Sequence, residues 1–189
     1  MRRLAAVLAL SLIPALAASG ARRAPGFSLP DVNGQQHDLA DYRGRVVIVE
    51  ITRTECPSCE GFAAKLEQLK TYYAGKVAVI AITNPPDTVQ AVTAYIAEHK
   101  LTYPMLFDCG QVAFSYVLPN QLRPSINIPH IYIVDREGMI RRDLEFGTET
   151  TEFFLGDGLY KVLDELLAGT PAAAQPPAAK PGAAKPARK

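Results

Sequence analysis

Val46-Val47-Ile48-Val49-Glu50-Ile51-Thr52-Arg53-Thr54-Glu55-Cys56-Pro57-Ser58-Cys59 places a β-branched apolar run just ahead of a Cys-x-x-Cys pair. The run from Val46 to Thr52 reads as a strand buried on both faces. Beyond the pair, Phe62, Leu66, Leu69 and Tyr73 fall at helical spacing, which predicts a helix from about Ser58 to Tyr73. Two cysteines at such a strand-to-helix junction are the pattern of a redox dithiol. Pro57 suits the first helical position, where its missing N–H has no intrahelical partner. Cys56 then stands at a helix N-terminus, where unpaired N–H groups and the macrodipole favour an anion and acidify the thiol. Thiolate is the attacking species in disulfide exchange, so Cys56 is the expected nucleophile. Cys59, one turn on and more buried, is expected to resolve the mixed disulfide.

A structural disulfide and a metal site are the rival readings of the pair. A bridge closing so short a loop constrains the unfolded chain very little. A zinc site needs four ligands, and only Cys109 and three histidines remain to complete one, none at ligand-like spacing. Glu50 interrupts the apolar run. A carboxylate buried there would be costly and its pKa raised, and facing the helix start it would take the proton from Cys59. Strand alternation could instead turn Glu50 to solvent, or a paired structural charge could hold it. Pro129, ahead of the apolar stretch Ile131-Tyr132-Ile133-Val134, is compatible with ordinary edge geometry or with a cis bond beside the dithiol.

The remaining chain alternates strand and helix patterns. Phe27-Ser28-Leu29 and His37-Asp38-Leu39 flank Asn33-Gly34, a hairpin signal. Val77 to Thr83 is a second buried strand, and Asp87 is placed to cap a helix carrying Val89, Val92 and Ile96. Met105-Leu106-Phe107 is a short strand, followed by a helix around Gln111 to Tyr116 and a Pro/Asn/Ser-rich loop from Leu118 to Ile128. Ile131 to Val134 and Met139 to Phe146 form a hairpin across Asp135-Arg136-Glu137-Gly138. One last helix is expected to carry Phe154, Leu159, Val162, Leu163 and Leu166, with Gly169 stopping it. The fold class is therefore α/β: parallel strands with crossover helices, then an antiparallel hairpin, in a mixed sheet with an N-terminal β-hairpin extension.

Both ends read as separable from a folded unit spanning residues 25–169. Met1-Arg2-Arg3, the apolar Leu4 to Ala18 and the small residues that follow form a signal-peptide pattern over residues 1–21. A membrane span needs roughly 20 apolar residues, more than this run holds, so cleavage is favoured over a retained anchor. Export would place the cysteines in an oxidising compartment. Residues 170–189 are almost entirely Ala, Pro, Lys and Gly, a composition that stays disordered. A net charge of +1 over 189 residues argues against nucleic acid as a partner. Membrane contact is expected only through the leader or the basic residues of the tail, and the protein is expected to be a monomer.

From Pro25 to Ala168 the chain resembles the thioredoxin superfamily, in particular its exported redoxin or TlpA-like branch, related to AhpC/TSA redoxin domains. The segments that carry this are Ala24 to Gly34, Leu39 to Val47, Cys56-Pro57-Ser58-Cys59, and Pro129 to Asp135 with Gly138. The resemblance implies a thioredoxin-like fold and a cis Pro129 bordering the dithiol, and it places the family's buried acid at Glu50. It implies thiol–disulfide exchange with protein thiols and disulfides, including apocytochromes or metallochaperones, and a membrane dithiol reductase as a further partner. The location implied is periplasmic or otherwise extracytoplasmic in a bacterium. No cofactor is called for. The expected substrate contacts are Pro57, Ser58, Ile128 and Pro129.

The aromatic residue usual before the first cysteine is replaced by Glu55, and there is no tryptophan. Glu55 opposes the thiolate, and Arg53 is placed to offset it. Two other functions stay open. A thiol peroxidase of the AhpC/TSA class would place Thr and Pro where this chain has Arg53 and Val49. A metal-binding or adaptor protein could use the same fold as a scaffold. Cys109 reads as buried and inert ahead of a third redox site, and His37 and His99 read as surface residues. His130 is expected to touch substrate or to bond locally, with no catalytic role.

Overall fold

The computed structural model of the chain describes residues 22–117 and 126–169. The expected leader, the Ala/Pro/Lys tail and most of the Leu118–Ile128 loop lie outside the described residues. Eight strands are described: β1 Arg22–Arg23, β2 Ser28–Pro30, β3 Gln36–Asp38, β4 Val46–Thr52, β5 Val77–Thr83, β6 Met105–Phe107, β7 His130–Val134 and β8 Met139–Glu145. The helices are α1 Pro57–Tyr72, α2 Val89–His99, α3 Gln111–Val117, α4 Thr151–Phe154 and α5 Gly158–Ala168.

Six strands make a mixed sheet in the order β1-β8-β7-β4-β5-β6, and β2 pairs with β3 as a separate hairpin. β4, β5 and β6 are parallel, whereas β7, β8 and β1 join antiparallel. This is a thioredoxin-like α/β fold. Every residue of β4 and β5 is buried, as expected for central strands covered on both faces.

Alternation along β4 divides the core. Val46 and Ile48 pack with Phe62, Leu66 and Leu69 of α1, Tyr95 of α2 and Leu163 of α5. Val47, Val49 and Ile51 face the other way, onto Val112 and Tyr116 of α3 and onto Phe27 and Leu29 by the hairpin. Glu50 shares the parity of Val46 and Ile48, so it lies on the α1 face. Phe62 and Phe154 rings meet at 4.8 Å and join α1 to α4.

Two expectations about elements are corrected, and one strand was not anticipated. Asp87 does not cap α2: Thr88 does, accepting the Ala91 N–H at 3.2 Å. The final helix is two, because the chain turns between Phe154 and Gly158. There the Asp157 N–H donates to Glu152 Oε1 at 3.0 Å, and a Cβ on Gly156 would sit 2.3 Å from a Glu152 carboxylate oxygen. Finally, β1 carried no strand pattern, since two arginines have no periodicity. It forms because Arg22 and Arg23 add to the edge of β8 opposite Ile140 and Met139.

Candidate active site

Parallel pairing brings Thr52 and Thr83 abreast at the C-terminal ends of β4 and β5. Asp87 anchors the segment that follows β4. Its carboxylate accepts the Thr54 N–H at 2.9 Å, the Thr54 hydroxyl at 3.0 Å and the Thr83 hydroxyl. The chain then enters α1 with Cys56 as N-cap and Pro57 at the first helical position. The Cys59 N–H, in the first turn of α1, donates to the Cys56 carbonyl at 2.9 Å and also reaches the Cys56 sulfur at 3.3 Å.

Cys56 and Cys59 form a disulfide with Cα atoms 5.2 Å apart. Both cysteines are buried, but Cys56 keeps 8% of its surface exposed and Cys59 none, so Cys56 is the more accessible of the two. Pro57 beside it is exposed, as is Glu55. Arg53 is half-buried, and its Nε is buried without a hydrogen-bond partner.

Ser58 links this turn to the opposite wall. Its hydroxyl lies 3.3 Å from Cys56 Sγ and 3.4 Å from the Ile128 carbonyl, to which it donates. The Ile128–Pro129 peptide is cis, as the resemblance implied, and Pro129 is buried at the start of β7. Ser58 thus joins the Cys56–Pro57 turn to the Ile128–Pro129 peptide.

Glu50 is 1% exposed, so the solvent-facing alternative is excluded. It stands between Ala81 and Ile131 of the neighbouring strands, and its Oε1 has no hydrogen-bond partner. Burial raises its pKa to about 8, with the Thr52 hydroxyl offsetting part of the rise. The nearby Tyr95 and Tyr103 hydroxyls are also pushed up, first by burial and then by the Glu50 charge.

Cys109 is exposed, against the expectation of a buried thiol. The buried position belongs to Asp108, whose carboxylate accepts the Val112 N–H at 2.8 Å at the start of α3 and leaves the next residue facing outward. Two of the histidines, His37 and His99, also differ from the reading, whereas His130 takes one of its two expected roles. His37 is half-buried between Tyr42 and Asp31, each at 3.2 Å. His99 is half-buried with its ring against Tyr95 at 4.3 Å. His130 bonds locally: Nε2 meets Asp143 at 2.6 Å and the ring stacks on Tyr132 at 4.6 Å.

Sequence reasoning missed the Asp87 tether and the His130–Asp143 pair. Asp87 follows Asn84-Pro85-Pro86, a turn-and-cap signature that hides a carboxylate serving Thr54, 33 residues earlier. Asp143 sits opposite Tyr132 in the β7–β8 register, a pairing visible only once the hairpin is aligned.

A cysteine disulfide capping the first helix of a thioredoxin-like sheet, with a cis-proline peptide beside it, defines a thiol–disulfide exchange protein. Residues 21–143 match the AhpC/TSA family, and the chain belongs to that family within the thioredoxin superfamily. It is 30% identical over 131 residues to the thioredoxin-like protein YneN of Bacillus subtilis (strain 168), spanning 68% of this chain and 72% of YneN. It is 28% identical over 130 residues to the thiol-disulfide oxidoreductase ResA of Geobacillus kaustophilus, spanning 68% of this chain and 70% of that protein. A hypothetical protein of Sinorhizobium meliloti 1021 superposes with a TM-score of 0.66 at 24% identity, over 82% of this chain and 87% of that one. A thiol:disulfide interchange protein of Chlorobium tepidum TLS superposes with a TM-score of 0.63 at 19% identity, over 78% and 97%. With these relatives and this cysteine pair, the chain is an enzyme of the thiol-disulfide oxidoreductase class.

Proposed function

We propose that this enzyme exchanges disulfides with protein substrates outside the cytoplasm, after export directed by residues 1–21. Residues 25–169 are the working domain and residues 170–189 a solvated tail. The observation that carries the reading is the asymmetry of the pair: Cys56 at a helix start with 8% of its surface exposed, a fully buried Cys59, and Glu50 in the core on the α1 face.

In the reductive direction the Cys56 thiolate attacks one sulfur of a partner disulfide. The partner S–S bond breaks, its leaving sulfur takes a proton, and a mixed disulfide joins the two proteins. Cys59 then gives its proton to the ionised fraction of Glu50, which grows as pH rises toward about 8, and attacks Cys56 Sγ. The Cys56–Cys59 bond closes, and the second partner sulfur leaves as a thiolate. Two electrons pass from the enzyme dithiol to the partner disulfide, and the reverse sequence oxidises a partner dithiol. Pro57, Ser58, Ile128 and Pro129 form the docking surface around Cys56. A membrane dithiol reductase is the proposed source of electrons.

The test is turnover of a disulfide-bonded protein by the wild type and by Cys56→Ser and Cys59→Ser. Cys56→Ser is expected to be inactive, and Cys59→Ser to stop at a mixed disulfide that can be trapped. Peroxide consumption without any dithiol partner, or full activity in Cys56→Ser, would overturn the reading.

A further inference from the structure

Four separate segments bring cations to the end of the sheet away from the dithiol. Arg43 and Arg45 precede β4, Lys76 precedes β5, Arg136 lies in the β7–β8 turn and Arg23 lies in β1. Backbone hydrogen bonds fix these segments together. The Gly44 N–H donates to the Arg136 carbonyl at 3.1 Å, the Val46 N–H to the Lys76 carbonyl at 3.3 Å and the Ala24 N–H to the Gly138 carbonyl at 2.9 Å. The Arg45 guanidinium is held over the Tyr42 ring at 4.8 Å. Arg23, Arg43 and Lys76 are exposed, and neither they nor Arg45 form an ion pair with another described residue.

The acids of the same segments do not cancel this charge. Asp135 is buried and takes its own cation, Arg141 Nε at 2.5 Å, which leaves exposed Asp41 and Glu137 against five cations. Arg22 adds nothing here, because it turns to the Tyr116 carbonyl and to Asp143 at 3.8 Å. The dithiol end has the opposite sign. Thr52 lies about 20 Å from Val46 at the usual rise of a strand, and the exposed ionisable residues flanking Cys56 in sequence are Glu55 and Glu60.

We propose that the end bearing Arg23, Arg43, Arg45, Lys76 and Arg136 is a membrane-docking face, which seats on anionic phospholipid headgroups and turns the dithiol away from the bilayer. This rests on the export reading and deepens it. Two features favour a lipid surface: the sign of the charge, and the place where the chain enters the fold. Arg22, the first described residue, pairs with Ile140 two positions past the turn, so the apolar run Leu4–Ala18 that the proposed export carries into a bilayer is tethered at this end. Basic side chains within a Debye length of an anionic leaflet, about 8 Å at physiological ionic strength, are attracted to it. Glu55 and Glu60 stand beyond that range. Cys56 is left facing the aqueous compartment, and a membrane reductase must reach it from a domain that stands off the bilayer.

The experiment measures cosedimentation of the exported form of the protein with vesicles of equal parts phosphatidylglycerol and phosphatidylcholine, and with vesicles of phosphatidylcholine alone. The wild type is expected to prefer the anionic vesicles and to leave them at about 0.5 M salt, where screening shortens to a few ångströms. Arg43→Glu combined with Lys76→Glu is expected to weaken binding about 25-fold or more, each lost cation being worth roughly fivefold. Two further variants separate this face from other sources of charge. Arg142→Glu combined with Lys161→Glu has the same net charge, altered at exposed positions of β8 and α5, and is expected to bind nearly as wild type does. Deletion of residues 170–189 removes the basic tail and is expected to leave the preference in place. Equal loss in the two double variants, loss on removing the tail, or displacement by inorganic phosphate at constant ionic strength overturns the docking face. Vesicle-bound enzyme is also expected to reduce a soluble disulfide-bonded protein at its rate in solution, and slower turnover on vesicles overturns the orientation. Normal exchange in solution with no preference for anionic vesicles strikes the docking face alone, whereas anionic binding without exchange activity strikes the enzyme reading alone.

Discussion

Glu50 is the residue at which stability and proposed chemistry pull in opposite directions. Its carboxyl titrates near 4.5 when unfolded and at about 8 when folded. Between those values the native state holds a proton that the unfolded state has released, so stability is complete below about 4.5 and falls as pH rises toward 8. Glu50→Gln removes the titration. The variant is expected to resist urea better than wild type at pH 8, by on the order of a few kcal/mol, and to show no such gain at pH 5. A difference that does not vary with pH would place the cause outside this carboxyl. The same substitution removes the proton acceptor proposed for Cys59. Closure of the mixed disulfide in Glu50→Gln should slow by roughly a hundredfold or more, while the first attack by Cys56 is unchanged. Stopped-flow measurement of the two steps separates them.

At the scale of elements, the approach to the dithiol is governed by the β5–α2 connection, where two adjacent side chains do different work. Thr88 caps α2, and Thr88→Ala is expected to cost about 1 kcal/mol in urea unfolding with no effect on the alkylation rate of Cys56. Asp87 instead ties Thr54 to Thr83 across the parallel pair β4–β5. Asp87→Ala leaves the Thr54 N–H and the buried Thr83 hydroxyl without their acceptor, at an expected cost of about 1–3 kcal/mol. It should also alter the alkylation rate, because the segment that presents Cys56 is released. Equal behaviour of the two variants would count against the tether. The strands β4, β5 and β6 were legible in sequence to their end residues because short apolar runs bounded by polar or turn residues are specified locally. The α4–α5 break was not, because it depends on how Glu152 folds back over Gly156 and Gly158.

Across the whole molecule, one sheet separates two packing layers, and the face that carries Glu50 is closed by α1, α2, α4 and α5. Phe154 is 1% exposed and meets both Phe62 and Phe146, at 4.8 and 5.5 Å. Phe154→Ala should lower unfolding free energy by about 3–5 kcal/mol, with an unchanged dependence on urea concentration. Removing residues 170–189 should leave the urea midpoint where it is, because their composition supplies almost nothing to bury. A shifted midpoint would assign that tail a packing role.

The sequence by itself determined the buried strands, the helix that follows Cys56, the order of parallel and antiparallel segments, and the cysteine pair as the seat of chemistry. Each of these is written in periodicity, or in a motif a few residues long. Tertiary structure alone decided that Glu50 faces the core, that Cys109 faces out, that Asp87 serves Thr54, and that Ser58 stands between a sulfur and the Ile128 carbonyl. Those relations join residues up to 70 positions apart. Local propensity carries no information about them, because they come into being only when strand pairing brings the two ends of the contact together.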